Sequence, residues 1–239
     1  MVEKTATQET KEIIVDHYRV LDKIAAGGMG AVYRAYEPAL DRHVALKFLS
    51  QELCRDSRIV ERFDLEAKAA ADLQHPNIVS VFFRGRVKGR PYFAMELIDG
   101  ESLADIAKKG PLQPKLAVDL MLQAAKGLKA AWKKKRLHRD IKPANLMVTE
   151  DNLLKITDFG LAKALDSEGG LTSANIVVGT PHFISPEQAQ GLPVDCRSDI
   201  YSLGASFYFL LSGTLPFVAD TAMGILVKHI NSPLPPLHN

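Results

Sequence analysis

The segment His138-Arg139-Asp140-Ile141-Lys142-Pro143-Ala144-Asn145 decides the reading, because five polar residues of defined type crowd into eight positions directly before a hairpin signal. That signal is a pair of apolar runs, Leu146-Met147-Val148 and Leu153-Leu154-Lys155-Ile156-Thr157, flanking the turn formers Glu150-Asp151-Asn152. Strands paired about Asp151 set Asn145 against the region of Thr157 and Asp158, so Asn145 and Asp158 emerge at the same end. An amide oxygen and a carboxylate at that separation suit a hard divalent cation such as Mg²⁺, which takes few protein ligands when phosphate and water supply the rest.

Upstream, Ala117, Met121, Ala124, Leu128 and Ala131 mark the inner face of a long helix. It closes in the basic run of residues 133–136. Cations at a helix C-terminus are favoured by its dipole and are usually solvated, so this run reads as a helix end and not as a nucleic-acid patch. Residues 18–49 alternate short β-like runs with turns and predict an antiparallel meander. The cluster Ala25-Ala26-Gly27-Gly28-Met29-Gly30 lies between two such runs, which predicts a hairpin and argues against a dinucleotide-binding strand-to-helix turn. Glycines there let backbone N–H groups approach phosphate oxygens, although a merely structural turn has the same composition.

Lys47 interrupts Val44-Ala45-Leu46-Lys47-Phe48-Leu49, a strand with Ala45 and Lys47 on one face and Val44, Leu46 and Phe48 on the other. In the helix predicted over residues 56–73, Glu66 sits in the stripe of Ile59, Phe63, Ala70 and Leu73. An ammonium in an apolar strand and a carboxylate in an apolar stripe each need a partner, and the two needs can satisfy each other. Further strands are expected over 77–83 and 91–98, and a buried helix over 199–212.

The 239 residues, with 30 Lys plus Arg against 28 Asp plus Glu and 46% hydrophobic content, exclude disordered, collagen-like and disulfide-stapled classes. They suffice for one large domain or two lobes sharing a cleft. A net charge of +2 without a basic face predicts no nucleic-acid partner. Cys54 and Cys196 stand alone, with no CxxC, which suits a reducing cytoplasm. The longest strongly apolar run, residues 203–211, is far short of the roughly 20 residues that span a bilayer, so no membrane contact is expected within this chain. The polar residues 1–16 read as a flexible leader.

Taken in order, the GGMGAVY loop, VALK, the helical Glu66, HRDIKPAN, Asp158-Phe159-Gly160, GTPHFISPEQ and DCRSDIYSLG resemble the protein kinase signature set, and closely that of the bacterial eukaryotic-like serine/threonine protein kinases. The resemblance implies an α+β, bilobal protein-kinase-like fold. An antiparallel β-rich N-lobe with one key helix would span 17–98, and a mainly helical C-lobe would span 99–239 and end before the family's last helices. By position, Lys47 would hold the α and β phosphates of ATP and pair with Glu66, while Asn145 and Asp158 would hold Mg²⁺, with Mn²⁺ as an alternative. Asp140 would be the catalytic base and Lys142 would neutralise charge on the transferred γ-phosphoryl group, a lysine that in the family marks Ser/Thr rather than Tyr kinases. Thr180 would support both. The ATP site would comprise Ala25, Gly27, Gly28 and Gly30 in the loop, Val32 and Ala45 above the adenine, and Met147 below it. Met95 would lie at the back and Thr157 before Asp158, with backbone groups of Glu96 and Ile98 at the adenine edge. His138 and Phe159 read as residues that position the catalytic loop.

The implied activity is γ-phosphoryl transfer from Mg-ATP to protein Ser/Thr hydroxyls, with protein substrates as partners and a homodimer compatible with trans-autophosphorylation. The implied location is cytoplasmic, either alone or as the cytoplasmic domain of a longer membrane-anchored protein. Three departures stand out: Ala25 replaces the loop's first glycine, Ser185 replaces the alanine of Ala-Pro-Glu, and the arginine that pairs with Glu187 in the family falls beyond Asn239. The change at Ser185 is small, but the first and third motivate an alternative, a nucleotide-binding pseudokinase-like scaffold with little catalysis, against which Lys47, Glu66, Asp140, Asn145 and Asp158 all stand. A small-molecule kinase is disfavoured by the GTPHF and SPEQ stretch, which resembles a protein-acceptor platform.

Arg139 beside Asp140 implies control by an activation loop that contains Thr172 and Ser173. A phosphate there adds about −1.5 to −2 charge and orders a segment by pairing with arginine. Peptide mapping of an active preparation is expected to find one or both of these residues phosphorylated, and finding neither modified would refute the idea.

Overall fold

A close approach between two strands shapes the first half of the molecule. In the computed structural model, which describes residues 13–159 and 181–237 apart from the side chains of Arg62 and Glu66, Gly30 has φ 151°. A Cβ at Gly30 would lie 1.8 Å from the Phe48 carbonyl oxygen, so only glycine lets the hairpin of β2 (Tyr18–Gly27) and β3 (Gly30–Glu37) lie against β4 (Arg42–Leu49). The Ser50 N–H then donates to the Met29 carbonyl at 2.8 Å and ties the hairpin tip down.

An antiparallel sheet follows in the order β1-β2-β3-β4-β6-β5, with β1 at Ile13–Val15, β5 at Val81–Val87 and β6 at Arg90–Glu96. β1 corrects the reading of residues 1–16 as leader throughout. Val15 is buried, and a turn through Asp16, at φ 52°, pairs Ile13 with Val20. Residues 1–12 lie outside the described residues. The β4 period holds: Val44, Leu46 and Phe48 pack with Tyr18, Ala35, Tyr92 and Ala94 on one face. Burial pushes the Tyr18 phenol up to about 12, and burial together with a hydrogen bond to Asp16 raises Tyr92 as well.

On the opposite face lies α1 (Ser57–Ala71), capped by the Asp56 carboxylate accepting from Arg58 N–H at 2.9 Å. Phe63 and Ala67 pack on Leu49 and Phe93. Asp64 of the same helix bonds Arg84 and Arg86 of β5 at 3.0 and 2.7 Å.

The strand expected over 77–83 begins later, at Val81. Residues 77–79 are instead drawn to β9 (Leu154–Ile156): Ile156 N–H donates to Asn77 O at 2.9 Å, Val79 N–H to Ile156 O at 3.0 Å, and Asn77 Nδ2 to Leu154 O at 2.8 Å. Leu73 and Ile78, inside the span assigned to the first lobe, therefore belong to the second core.

That second core is built around α3 (Pro114–Lys133) and α5 (Cys196–Ser212), with a small sheet of β7 (Gly100–Ser102), β8 (Leu146–Thr149) and β9, and the short α2 (Leu103–Ala107). The buried stripe of α3 is Ala117, Leu120, Ala124, Gly127, Leu128 and Ala131. Met121 was expected inside but is 39% exposed, because the helix faces the core one position earlier, through Leu120. A fully buried leucine contributes about 1.5–3 kcal/mol, enough to set the rotation of the helix. Leu203, Phe207 and Leu210 of α5 complete the core, and Gly213, at φ 73°, ends that helix.

The last described elements are α4 (Pro186–Ala189), opened by a capping box between Ser185 and Gln188, and α6 (Ala222–Asn231), capped by Thr221. His229 of α6 is buried, with Nδ1 2.9 Å from the Tyr201 hydroxyl and its ring edge-on to Phe217 at 4.8 Å. Burial, with His182 close by, lowers its pKa below 6.5, and burial lowers His182 likewise. Both imidazoles are thus folded in neutral form, so their contribution to stability is complete above pH 6.5 and is lost as pH falls through the depressed folded values. Denaturant melts at pH 7.5 and 5.5 are expected to show the lower stability at pH 5.5, with a smaller drop in His229→Asn.

Candidate active site

The polypeptide after α3 is held by one buried carboxylate. Asp199 Oδ2 accepts the His138 N–H at 2.8 Å and Oδ1 accepts the Arg139 N–H at 2.7 Å. Two consecutive N–H groups can point at one carboxylate because Arg139 takes φ 68°. The Arg139 carbonyl accepts from Gln188 Nε2 at 2.8 Å, which anchors the loop to α4 as well.

His138 is fully buried and its hydrogen bonds determine its tautomer. Nδ1 accepts the Asp140 N–H at 3.2 Å, so the ring proton is on Nε2, which donates to the Thr157 carbonyl at 2.7 Å. The ring meets Phe159 edge-on at 4.7 Å. His138 thereby links the loop to the segment after β9.

Asp140 Oδ2 accepts from Lys142 Nζ at 2.7 Å and from Asn145 Nδ2 at 3.0 Å. Asn145 Nδ2 also donates to the Asp140 carbonyl at 2.8 Å, which turns the amide nitrogen toward Asp140 and Oδ1 the other way. The register Leu146↔Ile156 continues one step, with Thr157 N–H donating to Asn145 O at 2.9 Å. Asn145 and Asp158 therefore stand at the same end of the hairpin.

Asp158, at φ 60°, places Oδ1 2.5 Å from Lys47 Nζ, an ion pair between the first sheet and the β8–β9 hairpin. Lys47 is expected to pair with Glu66. Glu66 lies on α1, and its side chain is outside the described residues. Thr172, Ser173, Thr180 and Gly160 also lie outside the described residues.

Strand register brings the expected nucleotide residues to one face. Val32 pairs with Lys47 and Ala25 with Val32, while Ala45 pairs with Met95, two residues along β4 from Lys47. Gly27 and Gly28 are exposed at the hairpin tip, and nothing lies within 4 Å of where a Gly27 Cβ would be, so this glycine leaves room for a ligand whereas Gly30 serves strand packing. Met147 stands on β8 opposite Ser102, and Ile98 follows the end of β6. Behind Asp158 a small recess is lined by Ala67, Ala70, Phe93, Met95 and Phe159, among others.

Among the described residues no three His, Cys, Asp or Glu side chains gather at metal-ligating distance. A cation here would have Asn145 Oδ1 and Asp158 as hard oxygen donors and would complete its shell with phosphate and water, a set that fits Mg²⁺.

Three residues of consequence were given no role from sequence. Asp199 and Gln188 brace the loop, and Lys155 of β9 bonds Glu96 Oε1 at 2.5 Å. Asp199 and Lys155 carry one recognisable signal, a charge inside an apolar element, which is the signal that picked out Lys47. Glu187 bonds the Ser198 hydroxyl; burial raises its pKa, but that hydroxyl, its own backbone N–H and Ser185 outweigh it and leave the carboxyl below its ordinary value.

Replacing Asp199 by asparagine sets an NH₂ group against a backbone donor inside the core. Asp199→Asn is expected to cost about 2–4 kcal/mol in urea melts, because a buried charge-assisted acceptor is lost. An unchanged midpoint would show that the loop does not depend on it.

The profile of the protein kinase domain family matches residues 18–234. A protein of Clostridium acetobutylicum named as a probable serine/threonine-protein kinase is 42% identical over 226 residues, covering 94% of this chain and 34% of the relative. The serine/threonine-protein kinase PknB of Mycobacterium leprae is 39% identical over 227 residues, covering 92% and 36%. The chain thus spans about a third of the length of the curated relatives it matches. The crystal structure of a mutant PknI kinase domain of Mycobacterium tuberculosis superposes with TM-score 0.72 at 27% identity, covering 95% of this chain and 81% of that one. No helix among the described residues is long and apolar enough to cross a membrane.

Proposed function

Since the chain belongs to the protein kinase family, we propose that it is an ATP-dependent serine/threonine kinase that phosphorylates proteins. The observation that carries this reading is the Asp140 carboxylate, one oxygen of which is held by Lys142 Nζ at 2.7 Å and Asn145 Nδ2 at 3.0 Å. Its second oxygen, which accepts no hydrogen bond among the described residues, would face the substrate hydroxyl. As the substrate oxygen bonds to the γ-phosphorus, the bond from that phosphorus to the β–γ bridging oxygen breaks and ADP departs, while the hydroxyl proton passes to Asp140. The protein has little covalent work to do, so rate comes from positioning and electrostatics.

Lys142, at the same carboxylate, is placed to meet charge on the transferred group. Lys47 would take the α and β phosphates once drawn from Asp158. Asn145 and Asp158 would hold Mg²⁺, or Mn²⁺ in its place, and the bound cation would neutralise phosphate charge. Val32, Ala45, Met95 and Met147 would enclose the adenine, with the backbone of Glu96 and Ile98 at its edge. Ser/Thr acceptors are supported by Lys142, two residues after Asp140, and by the names of the relatives. Cytoplasmic placement and autophosphorylation between two copies complete the reading.

The chain incubated with Mg-ATP and a generic protein acceptor is expected to show phosphate incorporation by intact mass. Asp140→Asn should slow it by about 10²- to 10⁴-fold, the usual value of a general base, and Lys47→Met should abolish it. ATP binding without transfer by the unaltered chain would favour the scaffold.

A further inference from the structure

Lys155 sits between Leu154 and Ile156, both fully buried, and its own side chain is 11% exposed. Its ammonium lies 2.5 Å from Glu96 Oε1. The other carboxylate oxygen of Glu96 accepts the Ser80 N–H at 3.2 Å, and the Glu96 N–H donates to the Ser80 carbonyl at 2.9 Å. Three pieces of chain therefore converge on one carboxylate: the end of β6, the residues before β5, and β9. Glu96 is also the residue whose backbone is assigned to the adenine edge.

Burying the ammonium almost wholly and the carboxylate, 27% exposed, in part is an inefficient way to join two halves of a protein, since the desolvation offsets much of their attraction. What the pair supplies is direction, because the ammonium holds the carboxylate, the carboxylate accepts the Ser80 N–H, and the Glu96 N–H donates to the Ser80 carbonyl, so side chain and backbone together fix the end of β6. We infer that Lys155 is a positioning residue of the nucleotide site, acting through Glu96 to hold the backbone of residues 96–98 against the amino and ring-nitrogen edge of a purine. This rests on the ATP-dependent kinase reading. Lys155 also stands three residues before Asp158, so an effect on the cation is the competing route, and the two routes separate by ligand.

Calorimetric titrations with adenosine, which has no phosphate, and with Mg-ATP would compare the unaltered chain, Lys155→Met, Lys155→Arg and the double variant Lys155→Met/Glu96→Gln. Lys155→Met is expected to weaken adenosine and Mg-ATP by the same factor, about five- to tenfold, and to raise KM for ATP accordingly while kcat falls by a smaller factor. Lys155→Arg should restore most of the affinity, and the double variant should bind no worse than Lys155→Met. Unchanged adenosine affinity in Lys155→Met, or a loss confined to the Mg²⁺ dependence, would overturn the inference. If the unaltered chain binds adenosine but transfers no phosphate, the kinase reading falls and the adenosine comparison still decides the role of Lys155. If it binds no adenosine, both fall.

Discussion

The buried Asp199 carboxylate, accepting the N–H groups of His138 and Arg139, is the constraint on which the rest of the site depends. Backbone N–H groups lose their water when a loop is buried and must find acceptors inside the protein. By taking two in succession, Asp199 fixes the plane of the chain at the point where Arg139 turns to positive φ, and Asp140 then leaves the core facing the cleft. His138 passes that placement on through Nε2 to the Thr157 carbonyl, one residue before Asp158.

The β8–β9 hairpin does similar work by pairing. Asn145 directly precedes its first strand and Asp158 follows its second by two residues, and the second strand takes in residues 77–79 through backbone hydrogen bonds. The same short strand therefore belongs to the core of one half and grips the connection into the other. Lys47 reaches across to Asp158 from the opposite side. Among the described residues the two halves are joined by backbone hydrogen bonds and by ion pairs that include Lys47–Asp158 and Lys155–Glu96, with apolar packing concentrated in the cores on either side.

Much of this was legible because it rests on local rules. The Asn145 to Asp158 hairpin follows from two apolar runs about a turn, and the β4 period follows from alternation. The family emerged from the order of the motifs, and the bilobal fold came with it. What was not legible was set by tertiary contacts. β1 exists because Val15 finds a buried site beside a strand distant in no local pattern, and α3 turns toward Leu120 instead of Met121 because α5 and β9 determine which side is inside. Asp199 and Lys155 were visible as misplaced charges, but their partners are backbone N–H groups and a carboxylate some sixty residues away, which no spacing along the chain reveals.

The Lys47–Asp158 contact has a consequence for how the site fills. On the proposed kinase reading, one partner would be the cation for phosphates and the other the anion for a metal ion, so each would compete with the other's ligand while they touch. The first guest to arrive would work against that attraction, and the second would find its own partner already released. Nucleotide and divalent ion would then be thermodynamically coupled through a protein ion pair, in addition to their direct attraction, each raising the affinity for the other by the same factor. The cleft would respond weakly to either alone and cooperatively to the two together, an AND gate written in two side chains.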